Sequence, residues 1–450
     1  MWGAKRFARE GGFYGPGMTN SPPAGEPMSG PMDGVRLRAP RVPPPRGRRG
    51  ESGAPGSGAT SDARPSEVRP SDAHSSDVRR PLRPRLTELR LSAYANHRRR
   101  VYRLGPVTLF GGRSGSGKSG VLRAYGALSR LGGGESVREV FGDVGGCVPV
   151  WARKDAQGRR GFRIGCTADG PEGPVTLDVA VQAEPRMRIV GERLSAGGTV
   201  LLETALRDPS RPTVDAAWYT GGSSPRVRAP FPDDQLATAI LPLRVSGRTR
   251  GQRRALSAAE QMVVALRTVF ACDPRPEAMR EPVLPGSGLL SAGCDNFADV
   301  VFRTRAECAV RHAALVEAVA AGCAGPVVDL RAEARTDGRL QAVLDRGGGG
   351  TTALHRLGDG ELRHLGLALV LLTGAGVLTV DAPREVPTAL GALTLLADNF
   401  DRCLDLNQRF TLLELAVLMA ERGHIHLMGT VSDDSWAIGL PGVTVVHLES

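Results

Sequence analysis

The sequence predicts an α/β fold, and three features of the chain indicate it. A strand-like apolar run at 105–110 leads directly into the glycine-rich sequence GGRSGSGKS, and a segment with helical spacing follows at 120–131. Residues 160–205 contain four strand-like runs separated by glycine and proline turns. Helix-like and strand-like segments then alternate in the last hundred residues. Together these patterns favour an α/β domain with an additional β-rich part.

Each element follows from its own pattern. Alternating apolar and polar residues predict a first strand at 86–94. Helical spacing is clearest at 257–272 and 305–323, and two further strands are predicted at 327–334 and 341–346. In the last part of the chain, the predicted helices are 361–374 and 406–423, and the predicted buried strands are 377–381 and 424–431.

Composition and pattern divide the chain into four parts. These are a basic tail at 1–85, a P-loop and β-rich part at 86–205, a mainly helical lobe at 206–346, and a second α/β part at 347–450. The tail is rich in Pro, Gly, Ser and Arg and has few large apolar residues, which predicts disorder.

Charge is concentrated at the N-terminal end. Residues 1–100 hold 19 Lys and Arg against 9 Asp and Glu, so only +1 of the formal charge of +11 belongs to the rest. A nearly neutral body and 4% aromatic residues give little support for a nucleic-acid surface on the folded part. The tail is either an arm for nucleic acid or acidic partners, or a nonspecific extension.

Cysteine usage and hydropathy predict a cytoplasmic protein without a membrane partner. The seven cysteines include no CxxC pair, so neither a zinc site nor a disulfide framework is expected. The first residues lack the apolar stretch of a signal peptide. The most apolar later run, 366–380, is shorter than the roughly 20 residues of a membrane span.

A phosphate-binding loop is the most specific motif. Residues 112–119 read GRSGSGKS and match the pattern GxxxxGK[ST] between a strand and a helix. The glycines let successive N–H groups turn inward around an anion, and the helix directs its positive end at the same point. Lys118 is one of only three lysines; it is predicted to bridge the β- and γ-phosphates, and the Ser119 hydroxyl to hold Mg²⁺. The predicted nucleotide-binding residues of the loop are Gly112, Ser114, Gly115, Ser116, Gly117, Lys118 and Ser119.

A second metal ligand is predicted at Asp381. It ends the buried strand 377–381, and ligands of α/β sheets bind at the carboxyl ends of strands. Asp381 would therefore complete a Mg²⁺ site with Ser119. The alternative for Asp381 is a helix N-cap.

The sequence LGDGEL at 357–362 precedes Asp381 by 24 residues and begins an apolar helix. With the P-loop and Asp381, it resembles the signature of the RecF/SMC-like AAA ATPases, LSGGE or LSDGE. The resemblance covers roughly 86–435. It implies a P-loop NTPase fold of the ABC-type head, with a β-rich subdomain and an inserted helical lobe, that binds ATP and Mg²⁺. It further implies a homodimer in which the signature residues of one protomer, Gly358, Asp359, Gly360 and Glu361, close over the ATP of the other.

Three positions depart from that family. The Glu that follows the metal-binding Asp is replaced by Ala382, the His of the switch segment by Val431, and the signature Ser by Gly358. All three family residues act on the γ-phosphate, and a water-orienting group typically contributes about 10²–10⁴-fold to a rate. Glu385 or Glu361 could substitute; the alternative for Glu385 is a solvated loop carboxylate.

Three functions therefore stay open. The first is a slow Mg²⁺-dependent ATPase in which ATP brings two heads together. The second is a non-hydrolysing scaffold that binds ATP as a structural ligand. The third, from family analogy alone, is a DNA-repair or phage-defence ATPase that acts on DNA. Sustained heptads are absent, which separates this sequence from true SMC proteins.

Overall fold

The computed structural model describes residues 83–142, 144–221, 227–373, 378 and 392–449. The strands in this part of the chain are β1 Arg85–Tyr94, β2 His97–Arg103, β3 Val107–Gly111, β4 Arg160–Asp169, β5 Val175–Glu184, β6 Arg188–Ala196, β7 Thr199–Ala205, β8 Thr213–Trp218, β9 Val227–Pro232, β10 Val269–Ala271, β11 Asp329–Ala334, β12 Leu340–Asp345, β13 Thr351–Ala353, β14 Leu393–Ala397, β15 Ile425–Thr430 and β16 Val443–His447. The helices are α1 Lys118–Gly132, α2 Val137–Phe141, α3 Ala237–Ile240, α4 Arg250–Arg267, α5 Pro276–Met279, α6 Phe297–Glu307, α7 Ala309–Gly322, α8 Asp359–Leu372 and α9 Leu406–Glu421. The predicted α/β class is confirmed.

An antiparallel sheet forms the β-rich part. Among the described residues it has eight strands in the order β2-β1-β4-β5-β6-β7-β8-β9. In β5 the apolar side chains of Val175, Leu177 and Val179 are buried, whereas Asp178 is exposed, as expected for a sheet with one covered face. Helix α4 packs against this sheet with a row of small and apolar residues that includes Met262. Two strands from the range 206–346, β8 and β9, extend the sheet.

A parallel sheet carries the predicted P-loop. Its described strands run in the order β10-β14-β15-β3-β16, and every pair is parallel. All residues of β3 and β14 are buried, because helices cover both faces. Phe110 packs into the apolar cluster around α1, and its neighbour Leu109 packs into the cluster around α8 and α9. Because successive side chains of a strand point to opposite faces of the sheet, β3 contributes to two apolar cores, one on each face.

Two predicted helices differ from the structure. The predicted helix 257–272 is α4, which begins earlier because Thr249 and Gln252 form a capping box at its N-terminus. It ends before the β-favouring sequence Val269–Ala271, which pairs with β14 instead. The predicted helix 305–323 is interrupted at Cys308, so that α6 and α7 are separate helices.

Other predicted elements lie close to their predicted ranges. Strands β11 and β12 pair with β13 in a three-stranded sheet, and α8, α9 and β15 lie where helices and a strand were predicted. Of the predicted strand 377–381 only Leu378 is described, and it bridges Leu290. Residues 1–82 of the predicted basic tail lie outside the described residues, and only its end, 83–85, is described. Across the part of the chain that is described, none of the helices combines the length and apolar character needed to cross a membrane.

Candidate nucleotide site

The glycine-rich loop connects β3 of the parallel sheet with the N-terminus of α1. Three of its residues, Gly112, Gly115 and Gly117, have positive φ angles of 133°, 84° and 101°. These angles belong to the region that L side chains rarely adopt. Gly117 is also the N-cap of α1, and a Cβ atom there would lie 2.7 Å from Cε1 of His97. The loop therefore needs glycine at this position for both its backbone conformation and its packing.

The turn between β1 and β2 holds this loop from the outside. The Asn96 side chain donates to the Gly115 carbonyl at 3.0 Å, and Nε2 of His97 lies 3.2 Å from the Gly117 carbonyl. A carbonyl can only accept, so Nε2 carries the proton, and Nδ1 accepts from the Tyr102 hydroxyl at 2.9 Å. Burial lowers the pKa of His97, which favours this neutral form. With two loop carbonyls engaged outward, the arrangement suits a loop whose N–H groups face an anion.

Two polar side chains mark the anion position. The Lys118 ammonium donates to the carbonyls of Gly112 and Arg113 at 2.5 and 3.0 Å, so it lies across the loop. The Ser116 hydroxyl is buried and has no hydrogen-bond partner among the described residues. Ser114 is exposed. A phosphate oxygen would satisfy the Ser116 hydroxyl and pair with Lys118, so these residues fit a nucleotide phosphate.

Ser119, in the first turn of α1, contacts a carboxylate that the sequence analysis did not select. Its hydroxyl donates to Oδ1 of Asp398 at 3.0 Å, and the Thr430 hydroxyl donates to the same oxygen at 2.5 Å. Asp398 follows β14 and Thr430 ends β15, which lies between β14 and β3 in the sheet. A serine hydroxyl beside a carboxylate at the carboxyl ends of parallel strands is a donor set that suits Mg²⁺.

The signal for Asp398 was present in the sequence. LTLLAD at 393–398 is an apolar run that ends in Asp, the same pattern that favoured 377–381. The predicted Asp381 and Glu385 lie outside the described residues, and so does Ala382. Asp398 is followed by Asn399, so the position after this carboxylate holds an amide.

A cavity of about 880 Å³ opens beside Ser119 and Asp398. Residues of α1, including Arg123 and Gly126, line this cavity, and so do Asp273 and Arg275 of the segment after β10. The carboxylate of Asp273 and the guanidinium of Arg275 therefore line the same cavity as the Ser119–Asp398 pair.

A second cavity, of about 1040 Å³, opens on the other side of the loop. Gly115 and Ser116 line it, together with Arg98 and Trp151. The Arg98 guanidinium lies 4.9 Å from the centre of the Trp151 ring, a cation–π arrangement, and the Trp151 ring is partly exposed. A flat aromatic ring and guanidinium beside the phosphate loop are suited to contact a nucleobase.

The signature-like segment begins helix α8. Gly358 is the N-cap, and its N–H donates to the Glu361 carboxylate at 3.1 Å. Glu361 also accepts from the Ala324 N–H at 3.1 Å, so its carboxylate is engaged in fixing the start of the helix. Asp359 accepts from Arg280 at 2.6 Å, and Gly360 packs tightly against a backbone carbonyl of the loop after β14. These residues line neither of the two cavities.

Val431, which directly follows β15, has an apolar side chain that is not suited to contact a phosphate. This residue is fully buried in the apolar core, and its N–H donates to the Phe110 carbonyl at 3.0 Å. The next residue, Ser432, donates through both its N–H and its hydroxyl to Asp401, at 2.9 and 2.5 Å. The segment is thereby tied to the loop that follows β14.

The described residues contain no cluster of three or more His, Cys, Asp or Glu side chains that could hold a metal by themselves. A metal at Ser119 and Asp398 would therefore take its other ligands from phosphate oxygens and water, as Mg²⁺ commonly does.

A scan against models of protein families finds no match, and no curated protein matches the sequence. Solved structures do match. The Smc head bound to the C-winged helix domain of ScpA is 11% identical, with a TM-score of 0.44, over 78% of this chain and 91% of that chain. The SMC head domain from Thermotoga maritima is 11% identical, with a TM-score of 0.39, over 78% and 90%. The Smc head domain with an extended coiled coil, bound to the C-terminal domain of ScpA derived from Pyrococcus furiosus, is 13% identical, with a TM-score of 0.40, over 81% and 94%.

Proposed function

We propose that this protein binds ATP with Mg²⁺ at the loop 112–119, hydrolyses it slowly, and uses it to bring two copies of the chain together. The observation that carries the proposal is the contact between Ser119 and Asp398 at the mouth of a glycine loop held by Asn96 and His97. Together with Lys118, this arrangement offers the three parts of a nucleotide site: a loop for the phosphates, a positively charged side chain and a pair of metal ligands.

The binding step rests on groups that the chain has retained. The loop N–H groups and the positive end of α1 would hold the phosphates, and Lys118 would supply the positive charge. Ser119 and Asp398 would hold Mg²⁺, which neutralises charge on the β- and γ-phosphates when bound. Arg98 and Trp151 offer a surface for the base next to the loop.

Hydrolysis is proposed to be slow because the position after the metal-binding carboxylate lacks a second carboxylate. Asn399 follows Asp398, and Ala382 follows Asp381. Neither side chain can take a proton from water. A missing general base typically lowers a rate by about 10²–10⁴-fold.

Dimerisation through the nucleotide is proposed from the exposed start of α8. Gly358 and Asp359 are exposed at the surface, where a second protomer could reach them. The Arg280–Asp359 ion pair and the Glu361 cap fix the shape of this segment before any partner arrives. The resemblance to the signature of RecF/SMC-like ATPases supports the assignment of this segment to the ATP of the partner copy.

The first experiment compares the wild type with Lys118→Ala for ATP turnover and for binding of a fluorescent ATP analogue. We expect slow turnover in the wild type and none in the variant. ATP-dependent mass doubling in light scattering should be lost in Lys118→Ala and in Asp359→Arg. Binding of ATP without turnover in the wild type would refute hydrolysis and leave the scaffold function, which Asn399 already favours. No binding in the wild type would refute the proposal as a whole.

A further inference from the structure

Arg363, in the second turn of α8, is a charged side chain enclosed in the core. It is 1% exposed, although arginine is almost never fully buried unless it is paired. Its guanidinium donates to the Asp273 carboxylate at 2.7 Å and to the Pro274 carbonyl at 2.8 Å. It also donates to the Asn399 carbonyl at 3.1 Å. One cation therefore joins three segments: the signature helix, the segment after β10 and the residue after Asp398.

Asp273 is the ion-pair partner that makes this burial tolerable, yet its own side chain is 56% exposed. It lines the cavity of about 880 Å³ that Ser119 and Asp398 also line. Arg363 contacts one oxygen of this carboxylate, Oδ1. The exposed side chain presents its negative charge to the cavity beside the proposed metal pair.

The backbone fixes this placement. The N–H of Asp273 donates to the Ala292 carbonyl at 3.0 Å, and the preceding Cys272 N–H donates to the Leu396 carbonyl of β14 at 2.8 Å. The segment after β10 is thus registered to the strand that ends at Asp398. Arg363 then fixes the side chain, because a guanidinium donates along defined directions.

We propose that Asp273 is the carboxylate that orients and deprotonates the attacking water, the role that Asn399 cannot fill, and that Arg363 is its positioning residue. The inference rests on the proposed hydrolysis of ATP. The water oxygen forms a bond to the γ-phosphorus while the bond from phosphorus to the β,γ-bridging oxygen breaks. ADP leaves with that electron pair, and the water proton passes to the Asp273 carboxylate, which releases it to solvent.

The position of Arg363 makes this activity depend on the signature helix. Arg363 lies two residues after Glu361, whose carboxylate caps the start of α8. A displacement of that helix by the ATP of a partner copy would move Arg363 and hence Asp273. Turnover would then rise with protein concentration as dimers form.

The test compares Asp273→Asn with Asp295→Asn, a matched change at the ion pair that Asp295 forms with Arg275. Asp295 pairs with Arg275 through Nε at 3.1 Å and does not line the cavity. We expect Asp273→Asn to lower single-turnover hydrolysis at least 100-fold, with affinity for a non-hydrolysable ATP analogue within threefold of the wild type. Asp295→Asn should leave both unchanged. Trapping of ADP with aluminium fluoride, a mimic of the transferring phosphoryl group, should weaken in Asp273→Asn alone.

Loss of the ion pair could itself unfold Asp273→Asn, because it leaves Arg363 buried without a counterion. The double variant Asp273→Asn with Arg363→Met removes both charges. It should melt close to the wild type and still fail to hydrolyse or to trap ADP–aluminium fluoride. A folded double variant with wild-type turnover would refute the role of Asp273 while leaving the proposed ATPase intact. A wild type without turnover or trapping would refute hydrolysis and this inference together, and ATP binding would survive.

Discussion

Two aspartates compete for the metal-binding role, and one pair of substitutions separates them. Asp398→Asn keeps the shape of the side chain and an oxygen that accepts from Ser119 and Thr430, so the fold should be retained. It removes the negative charge. Asp381→Asn makes the same chemical change at the position that the sequence pattern favoured. We expect only Asp398→Asn to weaken the Mg²⁺ dependence of ATP binding.

The size of the effect follows from the geometry at Ser119. Its hydroxyl lies 3.0 Å from Oδ1 of Asp398, so a Mg²⁺ ion bound to that hydroxyl at about 2.1 Å would lie roughly 4 Å, and at most about 5 Å, from this oxygen. Opposite unit charges at this distance interact by about 4 kcal/mol at an effective dielectric constant of 20, and the open cavity screens part of that. Loss of a carboxylate that supports a metal ligand typically costs 10–100-fold in metal affinity. We therefore expect the half-saturating Mg²⁺ concentration to rise 10–100-fold in Asp398→Asn.

The assay is fluorescence of an ATP analogue titrated with Mg²⁺ at fixed protein, repeated without metal. Binding in the absence of Mg²⁺ should be equal in the wild type and both variants, because it depends on the loop and Lys118. If Asp381→Asn shifts the Mg²⁺ titration and Asp398→Asn does not, the assignment from the structure is wrong and the prediction from the sequence is right.

Three further substitutions test the loop, the base and the β-rich part. Gly117→Ala should lower ATP affinity at least tenfold, because the φ of 101° and the His97 ring, 2.7 Å from the position of an added Cβ atom, both oppose a side chain. The control is Gly126→Ala, where the nearest atom to an added Cβ is 3.9 Å away; this variant should bind ATP normally in the same titration. Trp151→Ala should weaken ATP several-fold but leave competition by inorganic triphosphate unchanged, and equal weakening of both would exclude a base contact. Glu192 is fully buried, and burial raises its pKa from 4.5 to about 7. The folded state therefore holds the Glu192 proton more tightly than the unfolded state does. This contribution to the free energy of unfolding, about 3 kcal/mol, is present below pH 4.5 and is lost as the pH rises through 7. Glu192→Gln should flatten that part of the pH dependence in urea unfolding, and an unchanged slope would contradict it.

The sequence predicted most of the parts that local pattern determines. The glycine-rich loop, its strand and helix, and the four strands of 160–205 lie where periodicity and glycine placement put them, because each depends on near neighbours in the chain. The short strand β10 was not predicted, because it depends on a partner strand that is distant in the chain. Val269–Ala271 continues a helical apolar pattern, and only its pairing with Thr394–Leu396 makes it a strand.

The contacts of the site could not be predicted in this way. Ser119 and Asp398 are 279 residues apart, and Arg363 and Asp273 are 90 apart. Two apolar runs end in an aspartate, at Asp381 and at Asp398, and pattern alone ranks them equally. The order of strands in the sheet decides which aspartate meets α1, and that order is a property of the whole fold.

The proposed binding and the proposed hydrolysis depend on different kinds of group, so that one can persist while the other weakens. The proposed phosphate cradle would use the backbone N–H groups of a loop that has three glycines with positive φ angles and is held by Asn96 and His97. A substitution elsewhere leaves those groups in place. Hydrolysis needs a carboxylate at a point in the cavity, and a single change such as Asn for an acidic residue removes it. Among the described residues, the carboxylate of Asp273 also lines the cavity beside the proposed metal pair, and it is held by the buried Arg363 of α8. A catalytic group held in place by that helix would make the rate of hydrolysis, but not the affinity for ATP, respond to the partner copy.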